Sequence, residues 1–139
     1  MRFMAIVKAN KDSEAGVMPK EELIMEMMKY NEELAKAGVL LSLDGLHPTS
    51  KGARVTWDKA GKPIVTDGPF TESREIIGGF WILQVKSREE AIEWARRVPS
   101  TGSRKVELRQ IHEFSDFPED LQKSAESSTV RAQLEKQAR

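Results

Sequence analysis

Histidine, carboxylate and guanidinium groups do much of the chemistry available near neutral pH, and this chain is sparing with the first of them. Only His47 and His112 occur. His47 lies in Gly45-Leu46-His47-Pro48, just past an apolar run, where a neutral imidazole can project into a cleft as a general base. His112 closes the last strand-like run and reads as a strand-end residue. Asp67 precedes Gly68-Pro69-Phe70. Proline restricts the residue before it, so this turn is stiff and aims both Asp67 and Phe70. Such an aspartate either bonds the amides of its own turn or faces a ligand, and both readings stay open. Glu72, Arg74 and Glu75 follow as alternating charges, a solvated loop or a set of ligand contacts. Arg54 and Arg109 fall within strand-like runs, where a charge on an apolar surface needs a partner. A guanidinium there can hold a carboxylate through two parallel hydrogen bonds, or pair internally, as Arg109 can with Glu107.

Two functions fit this set. One is proton transfer of the isomerase or lyase kind, with His47 or Asp67 as acid or base. In it Arg54 or Arg109 holds an anionic small molecule, and Phe70 and Glu72 are further ligand contacts. The other is a non-catalytic module that binds a metabolite or a protein partner. The residues alone do not decide whether the protein is an enzyme.

Composition narrows the field. The 139 residues contain no cysteine, which removes disulfides, thiolate metal sites and cysteine nucleophiles. Two histidines cannot build a histidine-rich metal site, and no carboxylate cluster has metal spacing, so neither metal nor cofactor is expected. No phosphate-binding glycine loop, dinucleotide fingerprint or G-x-S-x-G elbow is present. Lys plus Arg total 22 and so do Asp plus Glu, which argues against a nucleic-acid partner. No run approaches the roughly 20 apolar residues of a membrane span. The start of the chain is too short in apolar residues for a signal peptide. A soluble, cytoplasmic protein is expected.

The elements that position these groups follow from periodicity. Arg2 to Lys8 reads as a strand. A polar loop is expected over Ala9 to Val17, then a helix with Pro19 in its first turn and Met18 as the formal N-cap. Leu23, Met27, Tyr30 and Leu34 form the apolar stripe of that helix, and Gly38 ends it. Val39 to Leu43 is a second strand. Arg54 to Trp57 and Lys62 to Val65 flank a turn as a small hairpin. Phe80 to Val85 is the most apolar strand. Ser87 to Glu90 is a capping box opening a helix that Pro99 stops, and Lys105 to Ile111 is the last strand. The order β-α-β, hairpin, β-α-β predicts an α+β, ferredoxin-like sheet with an inserted hairpin and both helices on one face. The domain spans residues 1–113. Residues 114–139 form a polar tail with a weak helical stripe of Val130, Leu134 and Ala138. Because the strands are apolar on both parities, a homodimer with two sheets face to face is expected, with a ligand cavity between them.

Asp67-Gly68-Pro69-Phe70-Thr71-Glu72-Ser73-Arg74-Glu75, followed by Gly78-Gly79-Phe80, resembles the D-G-P-F-x-E-[ST]-[KR]-E…G-G-[FY] signature of the DGPF branch of the YCII-related proteins. Ala37-Gly38-Val39-Leu40, Gly45-Leu46-His47-Pro48, Ser87 to Ala91 and Val106-Glu107-Leu108-Arg109 fit further family segments, in order over residues 1–113. The resemblance implies a dimeric α/β-barrel-like assembly of ferredoxin-like subunits. Some relatives act on small ring compounds through a His–Asp pair near the first strand–helix connection and the second helix. Here Ala9 to Val17 holds no histidine, and Val98-Pro99-Ser100 stands where an Asp-Pro is sought. Relatives of this branch are often encoded beside, or fused to, regulatory sigma factors, which favours a regulatory binding role.

Overall fold

The computed structural model describes residues 1–71, 75–99, 105–124 and 129–137. Along the chain lie β1 (Arg2–Lys8), α1 (Lys11–Glu14), α2 (Glu21–Lys36), β2 (Leu40–Gly45), β3 (Ala53–Trp57) and β4 (Pro63–Asp67). They are followed by β5 (Ile77–Gln84), α3 (Arg88–Arg96), β6 (Val106–Gln110), α4 (Glu119–Ser124) and α5 (Thr129–Gln137). The architecture is α+β. One sheet has the order β2-β5-β1-β6, β3 and β4 form a separate two-stranded sheet, and every pairing is antiparallel. Strands β2 and β6 remain edges, so the sheet does not close into a barrel.

Local chemistry explains most boundaries. The segment expected as loop from Ala9 to Val17 contains α1. There Asn10 Oδ1 accepts the Ser13 N–H at 2.8 Å while Ser13 Oγ accepts the Asn10 N–H at 2.9 Å. This reciprocal cap holds one helical turn that buries no side chain of its own. Helix α2 starts two residues later than Pro19 suggests. Lys20 is its extended N-cap and supplies no side-chain cap, and the Lys20 carbonyl accepts the Leu23 and Ile24 amides. Glu21 and Glu22 then occupy the first turn, where the helix dipole favours them. At α3, Ser87 Oγ accepts the Glu90 N–H as expected. The Glu90 carboxylate reaches one residue further back, to the Lys86 N–H. Strand β5 begins three residues early because Gly79 faces the end of β2. A Cβ there would lie 3.0 Å from the Asp44 carbonyl oxygen and 3.4 Å from Gly45 Cα, so the strands close only over glycine.

Cross-strand register sorts the sheet into two faces. Phe3, Ala5, Trp81 and Leu83 pack with Tyr30 and Leu34 of α2, and with Val39, Ala91 and Val98, into one core. The opposite, open face carries Met4, Ile6, Phe80 and Ile82 at its centre. Lys8, Glu107 and Arg109 run beside them, with Glu107 3.9 Å from Lys8 and 3.7 Å from Arg109. The expected apolar patch is therefore present but sheltered. Ile6 is buried and Met4, Phe80 and Ile82 are half-buried by their neighbours. Strong apolar exposure falls on the β3–β4 hairpin instead, where every strand residue is exposed.

Past β6, Arg2 binds Glu113 through two nitrogens at 2.8 and 3.2 Å. Phe114 and His112 both pack against Phe117. Helices α4 and α5 occupy the segment expected as a polar tail; Ala138 and the side chains of Val130 and Leu134 lie outside the described residues. No helix is long and apolar enough to cross a membrane among the described residues.

Candidate functional site

The strand ends carrying Lys8, Gly45 and Gly78 converge beneath α1, the 15–19 segment and the middle of α2, and there they leave a cavity of about 810 Å³. Its floor is Trp81 and Leu43, with Met27 from α2 as an apolar wall. Trp81 is fixed from two sides. Its indole Nε1–H donates to Asn31 Oδ1 at 2.8 Å, and its ring meets Tyr30 edge to face at 5.5 Å. Tyr30 in turn donates its hydroxyl to the Trp94 carbonyl at 2.9 Å, tying α2 to α3. Burial pushes the Tyr30 phenol up to about 12, with the nearby Glu33 carboxylate adding to the rise and Arg97 opposing it. It therefore stays a neutral donor across the physiological range. Because Asn31 spends its oxygen on the indole, its amide nitrogen is the group left to offer a ligand hydrogen bonds.

A second, smaller cavity of about 430 Å³ adjoins the first. Leu46, His47, Pro48 and Lys51 line both. Its own walls include Arg54, Phe70, Ile76 and Ile77. The Arg54 guanidinium sits 3.8 Å over the Phe70 ring, a cation–π contact that fixes its plane without neutralising its charge. Arg54 lines the smaller compartment alone, Lys51 lines both, and Glu75 is the carboxylate at the edge of the smaller one.

The wall between the compartments is built by three chain segments. Both oxygens of the Glu14 carboxylate bind Thr49, one taking its backbone N–H at 3.0 Å and the other its hydroxyl at 2.5 Å. Thr49 Oγ1 then accepts the Phe70 N–H at 3.0 Å. The Gly68 N–H donates to the Gly52 carbonyl at 3.0 Å. Backbone approaches so closely here that a Cβ on Gly68 would fall on the Thr49 carbonyl oxygen. Within the D-G-P-F turn, the glycine and Phe70 thus act as a clamp on the 49–52 turn. Gly68–Pro69 is a cis peptide.

The residues singled out above separate into groups. His47, Arg54 and Phe70 come together at the smaller cavity, and His47, although exposed, faces both compartments. Asp67 does not join them. It is exposed at the base of the hairpin, paired across from Ala53, and lines neither cavity. The turn's amides go to Gly52 and Thr49, not to an Asp67 side-chain turn; that Asx geometry is found at Asp58, whose Oδ1 accepts the Ala60 and Lys62 amides at 2.9 Å. Arg109 lies on the open sheet face beside Glu107, away from both cavities. Glu72 and Arg74 lie outside the described residues, and Glu75 is exposed at the edge of the smaller cavity. The larger cavity is floored from the helix-covered side of a single chain. Among the described residues no cluster of His, Asp and Glu could hold a metal ion.

Asn31, Glu14, Thr49 and Lys51 escaped the sequence reading. Asn31 carried a signal, a lone amide on an apolar helical stripe, and Asn10-Lys11-Asp12-Ser13 carried a capping pattern. The Glu14–Thr49 contact spans 35 positions and has no local sequence mark.

The model of the YCII-related domain matches residues 1–115. An uncharacterized protein of Rhizobium meliloti (strain 1021) is 31% identical over 121 residues, covering 82% of this chain and 97% of that protein. The chain belongs to the YCII-related domain family.

Proposed function

We propose that this protein binds a small organic acid carrying a ring, with the ring in the larger compartment and the carboxylate in the smaller. The observation that carries the reading is the shared wall. One molecule lying across Leu46–Pro48 reaches Trp81, Leu43 and Met27 on one side and the Arg54 guanidinium on the other, with Lys51 bordering both. An apolar body with a few placed polar groups is the usual composition of such sites. Within the family we assign the chain to the DGPF branch, on its Asp67–Phe70 turn. The strand order β2-β5-β1-β6, with the hairpin set apart, supports the ferredoxin-like reading. The apolar residues on both faces of the sheet support a homodimer. Binding without catalysis is the favoured role, because His47 has no carboxylate partner among the described residues. A proton-transfer reaction, with His47 as the base, is the second reading; it is favoured by the position of His47 against both compartments.

A thermal-shift screen with small carboxylates and phenols tests the site. A ligand of the native state raises the melting temperature by mass action. Aromatic carboxylates should stabilise the wild type, and Arg54→Ala should abolish the shift for carboxylates while keeping a residual one for neutral phenols. A blank screen, or shifts that Arg54→Ala leaves unchanged, contradicts the reading.

A further inference from the structure

We infer that Asn31 selects the ring of the ligand, by donating to a carbonyl oxygen carried on the ring away from the carboxylate. The inference rests on the two-compartment reading above and narrows its ligand class to cyclic keto acids and acyl-substituted ring acids. Among the described residues around the larger cavity, the half-buried side chains with charge or hydrogen-bonding groups are Lys8, Glu14 and Asn31. Lys8 extends toward Glu107, 3.9 Å away on the open sheet face. Each Glu14 oxygen already accepts a hydrogen from Thr49. Asn31 differs, because half of its amide is unspent. The Trp81 indole N–H can only donate, so the Asn31 oxygen turns to it, at 2.8 Å, and the NH2 group points the other way. That nitrogen has no partner among the described residues. No side-chain nitrogen or oxygen among them is sealed without one, so it opens on the cavity that Asn31 lines.

The direction of this donor is set before any ligand arrives. Trp81 is buried, its ring meets Tyr30 edge to face, and Tyr30 is bonded to the Trp94 carbonyl. A donor locked in this way gives up little rotamer freedom on binding. Trp81, Leu43 and Met27 surround it, so a ring resting there meets apolar surface with one donor beside it. A carbonyl oxygen suits that donor. It accepts through two lone pairs and brings no hydrogen that needs an acceptor of its own. A purely hydrocarbon ring leaves the amide stripped of water and without a partner, which is what makes such a site discriminate.

Calorimetric titration of the full chain with 3- and 4-acetylbenzoate, each against the isopropylbenzoate of the same substitution, tests this. Paired ligands share nearly the same shape and differ in the acceptor. Isopropyl is the more apolar group, so an apolar cavity by itself favours it. The wild type should instead prefer the acetyl member of at least one pair, by roughly three- to tenfold, the scale of one hydrogen bond. Asn31→Asp keeps an acceptor for Trp81 but puts an oxygen where the NH2 group was, and should reverse the preference. Any charge repulsion it adds acts on both members alike. If that variant does not fold, the Asn31 side-chain NH2 resonances of the wild type decide. They should shift more with the acetyl ligand than with the isopropyl one, and equal shifts overturn the assignment. Equal binding or an isopropyl preference in the wild type overturns it too, as does an acetyl preference that Asn31→Asp retains; in each case the ring-acid site stands. Failure of all the ligands to bind overturns the site and the assignment together.

Discussion

The central sheet and the β3–β4 hairpin are both antiparallel and both rich in Val, Ile and Trp, yet they are held in place by different means. In the sheet, Leu83 and Trp81 are buried against Leu34 and Tyr30 of α2, so shape and apolar contact fix each strand. In the hairpin no strand residue is buried. Its position is set at its base, by backbone contact at Gly68 and by the Glu14–Thr49–Phe70 hydrogen bonds. The same residue types therefore act as a core in one region and as a presented surface in the other. The active difference is the presence of a covering layer.

This contrast can be broken from the sheet side first. Leu34→Ala removes a fully buried side chain and should cost about 2–5 kcal/mol, read as a lower urea midpoint. Val65→Ala on the hairpin should stay within about 0.5 kcal/mol for the monomer. Equal losses would mean that the hairpin is packed after all. Gly68→Ala comes next. The new methyl would meet backbone rather than a movable side chain, and a loss of about 1–3 kcal/mol is expected. Faster amide exchange should follow at Thr49 to Gly52 and along the hairpin. If exchange there is unchanged, the base does not hold the hairpin.

Asn31→Ala should cost about 1–3 kcal/mol by leaving the Trp81 indole N–H without its acceptor. It should also weaken any ligand of the larger cavity. Asn31→Asp keeps an acceptor and should recover most of the stability. A smaller loss than at Asn31 is expected at Tyr30. Its phenol, ordinarily near 10, is pushed up to about 12 by burial. Above pH 10 the unfolded chain releases this proton while the folded one keeps it. Stability is therefore full below pH 10 and falls as pH rises toward 12. Tyr30→Phe should lose about 1 kcal/mol at neutral pH through the Trp94 hydrogen bond and remove this alkaline component, as measured by denaturant melts across that range.

The elements were legible wherever apolar periodicity was strong. The stripe Leu23, Tyr30, Leu34 and the near-continuous apolar run of Phe80 to Val85 place α2 and β5, because one records burial on a helix face and the other a strand with apolar side chains on both faces. Less was legible where local polar bonding decides. Helix α1 is closed by Asn10 and Ser13 inside a segment with no apolar pattern. The start of α2 moved because Lys20, not Met18, takes the capping conformation. At the site, His47, Arg54 and Phe70 were recognisable as types and do share a cavity. Asp67 and Arg109 were equally plausible by type. Strand register, which a one-residue shift inverts, leaves Asp67 at the hairpin base and Arg109 on the open face. Contacts between distant turns, such as Glu14 with Thr49, depend on the finished fold.

The most direct test of the two-compartment site is an amide chemical-shift titration of the full chain with benzoate. Perturbations concentrated at Ala9 to Val17, at Asp44 to Lys51 and at Phe70, and lost from the last two groups in Arg54→Ala, are the predicted result. No saturable perturbation, or one centred on residues outside both cavities, would contradict it.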